Sequence, residues 1–162
     1  MTTRALVAYG SRHGSTAEIA EAIAATLRGE GVEVDVRPAG EVDALECYPA
    51  VILGSAVYAG RWCRDALALL RRPQLAGRDV WLFSSGPVGR SRGTRLRRVE
   101  RRASELGAHE HVVFGGAIGE DGGLLRRRIA RRTPAELRDR RDWPTIETWS
   151  RMIAATLVKR AA

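Results

Sequence analysis

A chain of 162 residues with 44% apolar content is long enough for one domain with a proper core, and it holds no run of about eighteen apolar residues that would cross a membrane. It starts on a strand-like pattern without the regions of a signal peptide, and Cys47 and Cys63 stand in neither a metal nor a redox spacing; two buried or partly buried thiols in a reducing cytoplasm are expected. The net charge of +8 is uneven, because residues 1–80 hold nine arginines and ten acids while residues 81–162 hold eighteen cations and nine acids. With Lys159 as the only lysine, this excess reads equally as arginine-biased composition or as a face for an acidic ligand, partner or surface.

In chain order, residues 4–9 (RALVAY) form an apolar run closed by Gly10, the signal of a buried parallel strand. Residues 15–28 follow as a helix, with Ile19, Ala20, Ile23 and Leu27 at helical spacing and Gly29 and Gly31 ending it. Residues 32–37 (VEVDVR) alternate, which suits an outer strand. Residues 50–54 (AVILG) are a fully apolar strand. Residues 63–71 are a helix with Ala66, Leu67 and Leu70 on one face, and residues 79–84 (DVWLFS) are another buried strand. A helix with basic outer positions spans 94–106, and the last strand is 111–118 (HVVFGGAI). Asp142 is a good N-cap for a closing helix to about residue 159, striped by Ile146, Trp149, Ile153 and Leu157. The arginine-rich stretch at about 119–142 is long for a connection and reads as an insertion in a single domain over 1–162.

Strict alternation of strand and helix implies an α/β fold: a five-stranded parallel sheet between two helical layers, of order 2-1-3-4-5. In such a sheet ligands bind at the carboxyl ends of the strands where the order reverses. Three loops converge there. The first, Ser11, Arg12, His13, Gly14, Ser15 and Thr16, opens a helix. It lacks the spacing of a dinucleotide fingerprint and the lysine of a P-loop, but its hydroxyls and N–H groups form a nest for a terminal phosphate. Ser15 with Glu18 also reads as a capping box, and Gly14 as a plain turn glycine. The second loop, Ser55, Ala56, Val57, Tyr58, Ala59, Gly60 and Trp62, offers aromatic faces for a flat ring, with Tyr58 or Trp62 stacking on it. The third, Ser84, Ser85, Gly86, Pro87 and Gly89, offers hydroxyls and N–H groups. A planar aromatic with one phosphate tail, FMN, matches all three.

These residues resemble the flavodoxin family, whose phosphate loop runs Ser/Thr-x-Thr-Gly-x-Thr. Ser11, Gly14 and Thr16 fit that pattern, and His13 stands where Thr is usual. Within the family the chain is most similar to the menaquinone-dependent protoporphyrinogen IX dehydrogenases, through VILGSAVYAGRW, the placed insertion and DWPTIETWSRMIAATL. The resemblance implies a flavodoxin-like three-layer sandwich with FMN, and an oxidoreductase that oxidises protoporphyrinogen IX in heme biosynthesis with a quinone acceptor. The alternative is a small electron-carrier flavodoxin without its own organic substrate.

No nucleophile–base pair appears, so the catalytic residues stay unassigned, as expected where a flavin carries the chemistry and the protein binds, orients and tunes it through backbone groups of Ser55, Ala56 and Gly86. Trp81, Trp143 and Trp149 are expected in the core, and His109 and His111 make a poor metal pair, so no metal is expected. Arg97, Arg98, Arg101 and Arg102 read as a solvated face or as the seat of an anionic partner. The partners expected are an acidic small molecule or quinone, a redox protein, and peripheral contact with an anionic membrane at the inner face. Nucleic acid is not expected, for want of aromatics interleaved with the basic residues.

Overall fold

The computed structural model describes residues 3–86, 96–116, 131 and 139–162. Its strands are β1 (Arg4–Gly10), β2 (Glu33–Pro38), β3 (Ala50–Tyr58), β4 (Arg61–Trp62), β5 (Asp79–Gly86) and β6 (Glu110–Gly115). Its described helices are α1 (Ser15–Gly29), α2 (Arg64–Leu70), α3 (Arg97–Leu106) and α4 (Trp143–Ala161).

Five strands pair in parallel in the order β2-β1-β3-β5-β6. This is the order expected from the sequence, with β5 and β6 as the fourth and fifth parallel strands. Alternation along β1 feeds both faces. Ala5 and Val7 pack with α1 and α4, whereas Leu6 and Ala8 pack with α2 and α3. Each face thus carries its own apolar core, and β2, with its charged alternate positions, lies at an edge.

The departures have local causes. Residues 55–58, expected in a loop, extend β3. The chain then reverses through Ala59 and Gly60 into the short antiparallel β4, pairing Tyr58 with Arg61 and Val57 with Trp62. Both turn residues take positive φ, 48° and 72°, as a two-residue hairpin of this hand requires. The capping box does not form. Gly14, in the left-handed region at φ 84°, takes the cap position of α1 without a side-chain cap, and Glu18 pairs instead with Arg141. Trp143 is 40% exposed beneath the Arg141 guanidinium, which lies 4.8 Å from its ring centroid, while Trp81 and Trp149 are buried as expected. Cys47 is exposed and Cys63 half-buried. Asp142 caps α4 as expected, accepting from the Thr145 N–H at 3.1 Å. The insertion falls outside the described residues except for 131 and 139–142. The same holds for 117–118 of the expected last strand and 94–95 of the expected third helix.

Candidate functional site

The topology brings the ends of β1, β3 and β5 side by side, with Gly10 opposite Ser55 and Ser55 opposite Ser84. Beyond Gly10 the chain turns tightly. The Ser11 hydroxyl accepts from the Gly14 N–H at 3.1 Å, and the Glu18 N–H donates to the Gly14 carbonyl at 3.0 Å as α1 begins. The first-turn N–H groups have no acceptor within the helix, so this corner carries the positive end of the α1 dipole. Ser11 and Arg12 also border a cleft of about 290 Å³ beside the end of β1.

Thr16 stands in that first turn and is fully buried. Its Oγ1 is the one buried side-chain polar atom among the described residues without a hydrogen-bond partner. Leaving such a hydroxyl unpaired costs about 1–3 kcal/mol. An anionic oxygen at this corner would complete it, together with first-turn N–H groups, so the residues present fit a phosphate monoester.

The β3–β4 hairpin leans onto the same corner. The half-buried Tyr58 ring meets the His13 ring edge-on at 5.8 Å, and the Arg12 guanidinium lies 5.8 Å from the Tyr58 centroid. Loop one and loop two therefore touch through Arg12, His13 and Tyr58. Trp62 does not share this role. It is 4% exposed within the core on the α2 side, and its indole N–H donates to Ser84 Oγ at 2.7 Å. Its burial leaves Tyr58, half-buried at the same corner, as the aromatic of this loop more open to a ligand.

The expected hydroxyls are also committed inside the protein. Ser55 Oγ accepts from the Cys63 N–H and donates to the Ala56 carbonyl, both at 2.8 Å. Ser84 Oγ lies 2.8 Å from His111 Nε2 as well as accepting from Trp62. What Ser55 and Ser84 can offer a ligand is therefore backbone. Ser85 is buried, and the Gly86 carbonyl accepts from the Gly116 N–H at 3.2 Å; Pro87 and Gly89 lie outside the described residues.

Burial holds His111 below the usual imidazole range, with Glu100 opposing that shift. The Trp62 N–H can only donate, so a neutral His111 acting as acceptor at Nε2 leaves the Ser84 hydroxyl as the bridge between them. Sequence reading gave His111 no structural role. Its only signal was a histidine entering an apolar strand beside one ending in two serines.

Arg141 is the other unforeseen tie. It pairs with Glu18 of α1 and with Asp139, bonds that raise its affinity for its proton and hold Asp139 below the usual carboxylate range. It fastens the chain entering α4 to the helix that opens after the Ser11–Gly14 turn. Among the described residues no cluster of ligating side chains suits a metal, and no helix is long and apolar enough to cross a membrane.

A family model described as a flavodoxin domain matches residues 6–132. An archaeal flavodoxin structure is 16% identical with a TM-score of 0.66, over 96% of this chain and 99% of its own. Oxidised flavodoxin 2 of Bacillus cereus is 26% identical with a TM-score of 0.59, over 80% and 94%. Rubredoxin oxygen:oxidoreductase of Desulfovibrio gigas is 17% identical with a TM-score of 0.67, over 99% of this chain but 37% of that one.

Proposed function

This chain belongs to the flavodoxin domain family, whose members bind FMN, and from that premise we propose that residues 11–16 hold the FMN phosphate and that Tyr58 lies against the ring. The observation that carries this reading is the buried, partnerless Thr16 hydroxyl at the helix start. Ser11 and Thr16 supply hydroxyls there, the surrounding N–H groups supply the nest, and Arg12 and His13 brace the aromatic. Backbone groups of Ser55, Ala56 and Gly86 orient and tune the ring. Bound FMN supplies the electron-transfer chemistry, and the chain's part is to bind it, position it and limit its contact with water.

The substrate reading is oxidation of protoporphyrinogen IX with a quinone as acceptor. It is supported by the positive second half of the chain, which suits a substrate bearing carboxylates, and by the sequence likeness given above. A carrier between redox proteins is the second reading, favoured by end-to-end coverage of the archaeal flavodoxin.

Purified protein is expected to be yellow. Replacing Ser11 and Thr16 together by Ala should weaken FMN binding by about 1–3 kcal/mol, and riboflavin should bind more weakly than FMN in the parent. Equal affinity of parent and double variant would place the phosphate elsewhere. Tyr58→Leu is expected to restore part of the flavin emission quenched in the parent. Protoporphyrinogen consumption with menadione as acceptor distinguishes enzyme from carrier. Turnover supports the first reading, and flavin reduction without turnover supports the second.

A further inference from the structure

Away from the cofactor corner, α2 and α3 enclose a cleft of about 300 Å³. Leu67 and Leu70 form its floor, and Arg71, Arg98, Arg101 and Arg102 line its walls against a single acid, Glu105. Positions 98, 101, 102 and 105 recur on one face of α3 by helical spacing. Arg102 is fixed, donating from Nε to the Leu70 carbonyl and from Nη1 to Glu105, both at 3.2 Å. Arg71, Arg98 and Arg101 make no ion pair with any described residue. The fold thus gathers beside Leu67 and Leu70 three guanidiniums that pair with no described residue, an arrangement whose mutual repulsion an anionic occupant would relieve.

We propose that this cleft docks an acidic segment of a partner protein, with carboxylates on Arg71, Arg98 and Arg101 and one aliphatic side chain over Leu67. Charge complementarity selects the sign, because the lining carries four cations and one anion. The floor selects the class. Binding of single-stranded nucleic acid would draw on aromatic stacking, and no aromatic residue lines the cleft. A membrane surface takes up protruding apolar side chains, whereas Leu70 is only 2% exposed and recessed. Planar guanidiniums presented from a rigid helix match carboxylates in paired geometry, and an aliphatic residue between the acids would cover Leu67. The site stands whether or not the chain carries FMN, so it survives failure of the cofactor reading.

The test uses the full-length chain and a fluorescein-labelled peptide carrying Glu at helical spacing around two Leu residues, read by anisotropy at fixed salt. Arg98→Glu with Arg101→Glu should weaken binding by about tenfold or more, as expected for reversing two exposed pairs. The charge-matched pair Arg37→Glu with Lys159→Glu, outside the cleft, should weaken it far less. Leu67→Ala should lower affinity for the Glu/Leu peptide while leaving a Glu/Ala peptide unaffected. Circular dichroism checks that each variant is folded. Equal losses in the two charge-reversed variants would reduce the effect to net charge and overturn the proposal. So would an unchanged Leu67→Ala, or tighter, Arg98- and Arg101-dependent binding of single-stranded DNA or phosphatidylglycerol vesicles than of the peptide.

Discussion

Thr16 separates stability from binding in a single side chain. Its hydroxyl has no partner within the protein, so Thr16→Val, of nearly the same shape, removes a desolvated polar atom without breaking a bond. Flavin-stripped Thr16→Val should melt at the parent temperature or above it, while its FMN affinity falls by about 1–3 kcal/mol. Calorimetry and a flavin-fluorescence titration check the two halves. Loss of stability in the stripped protein would mean that the hydroxyl has an internal partner after all. His111 supplies a pH dependence with a definite sign. Its folded pKa lies below the ordinary value of 6.5, so above that pH both folded and unfolded chains hold it neutral. As pH falls below 6.5 the unfolded chain takes up the proton first, and native stability declines until the folded pKa is passed. Urea midpoints should therefore drop through this range in the parent, and His111→Gln should flatten the slope. Ser11, Gly14 and Thr16 stand out in sequence because they fall within six residues and are of distinctive type. The ties from Ser84 to His111 and to Trp62 do not, because they join residues 27 and 22 positions apart that look unremarkable singly.

At the level of elements, the β3–β4 hairpin is where pattern reading fell short. Gly54, where the expected strand ends, and Ser55 and Ala56 after it have weak strand propensity, so the chain from 55 on reads as loop. Packing demands these small residues. A Cβ on Gly54 would come within 2.0 Å of the Phe83 ring, and one on Gly86 within 3.2 Å of Val57 Cβ. Pairing to β1 and β5 on both sides then holds Ser55 extended. Gly54→Ala is therefore expected to prevent stable folding or to displace the Phe83 ring, seen as aggregation or a lowered melting temperature. Ala59 offers the opposite experiment. At φ 48° it sits where an L-residue with Cβ is strained by roughly 1–2 kcal/mol. Ala59→Asn supplies the residue this turn favours before glycine, and should stabilise the protein by about 1 kcal/mol, read from denaturant midpoints. The helices were better read than the hairpin because their apolar stripes are long. Ile19, Ile23 and Leu27, and likewise Ile146, Ile153 and Leu157, are all buried where the spacing placed them.

For the whole molecule, the sheet order followed from two patterns, apolar central strands and an alternating edge, and the meeting of the β1, β3 and β5 ends followed from the order. Charge acts at the same scale. The surplus of arginine lies in the second half of the chain, so encounter with an anionic reaction partner should slow as salt rises, with screening lengths of about 10 Å at 0.1 M. Neutralising Arg126, Arg127, Arg128, Arg131 and Arg132 to Gln should raise KM for an acidic substrate and leave FMN content unchanged, as measured by absorbance and steady-state kinetics. Unaltered KM and salt dependence would detach this segment from substrate capture and favour the carrier reading. Trp62 carries a last consequence. Buried beside Ser84 and the His111 ring, 5.9 Å away, it is shielded from solvent yet belongs to the hairpin that presents Tyr58. Its ultraviolet emission overlaps flavin absorption, so a bound isoalloxazine would accept its excitation by energy transfer. Trp62 is a native optical donor beside the proposed cofactor loops, and together with Trp81, Trp143 and Trp149 it lets the arrival and departure of the cofactor be followed in unlabelled protein by the dimming and recovery of tryptophan emission.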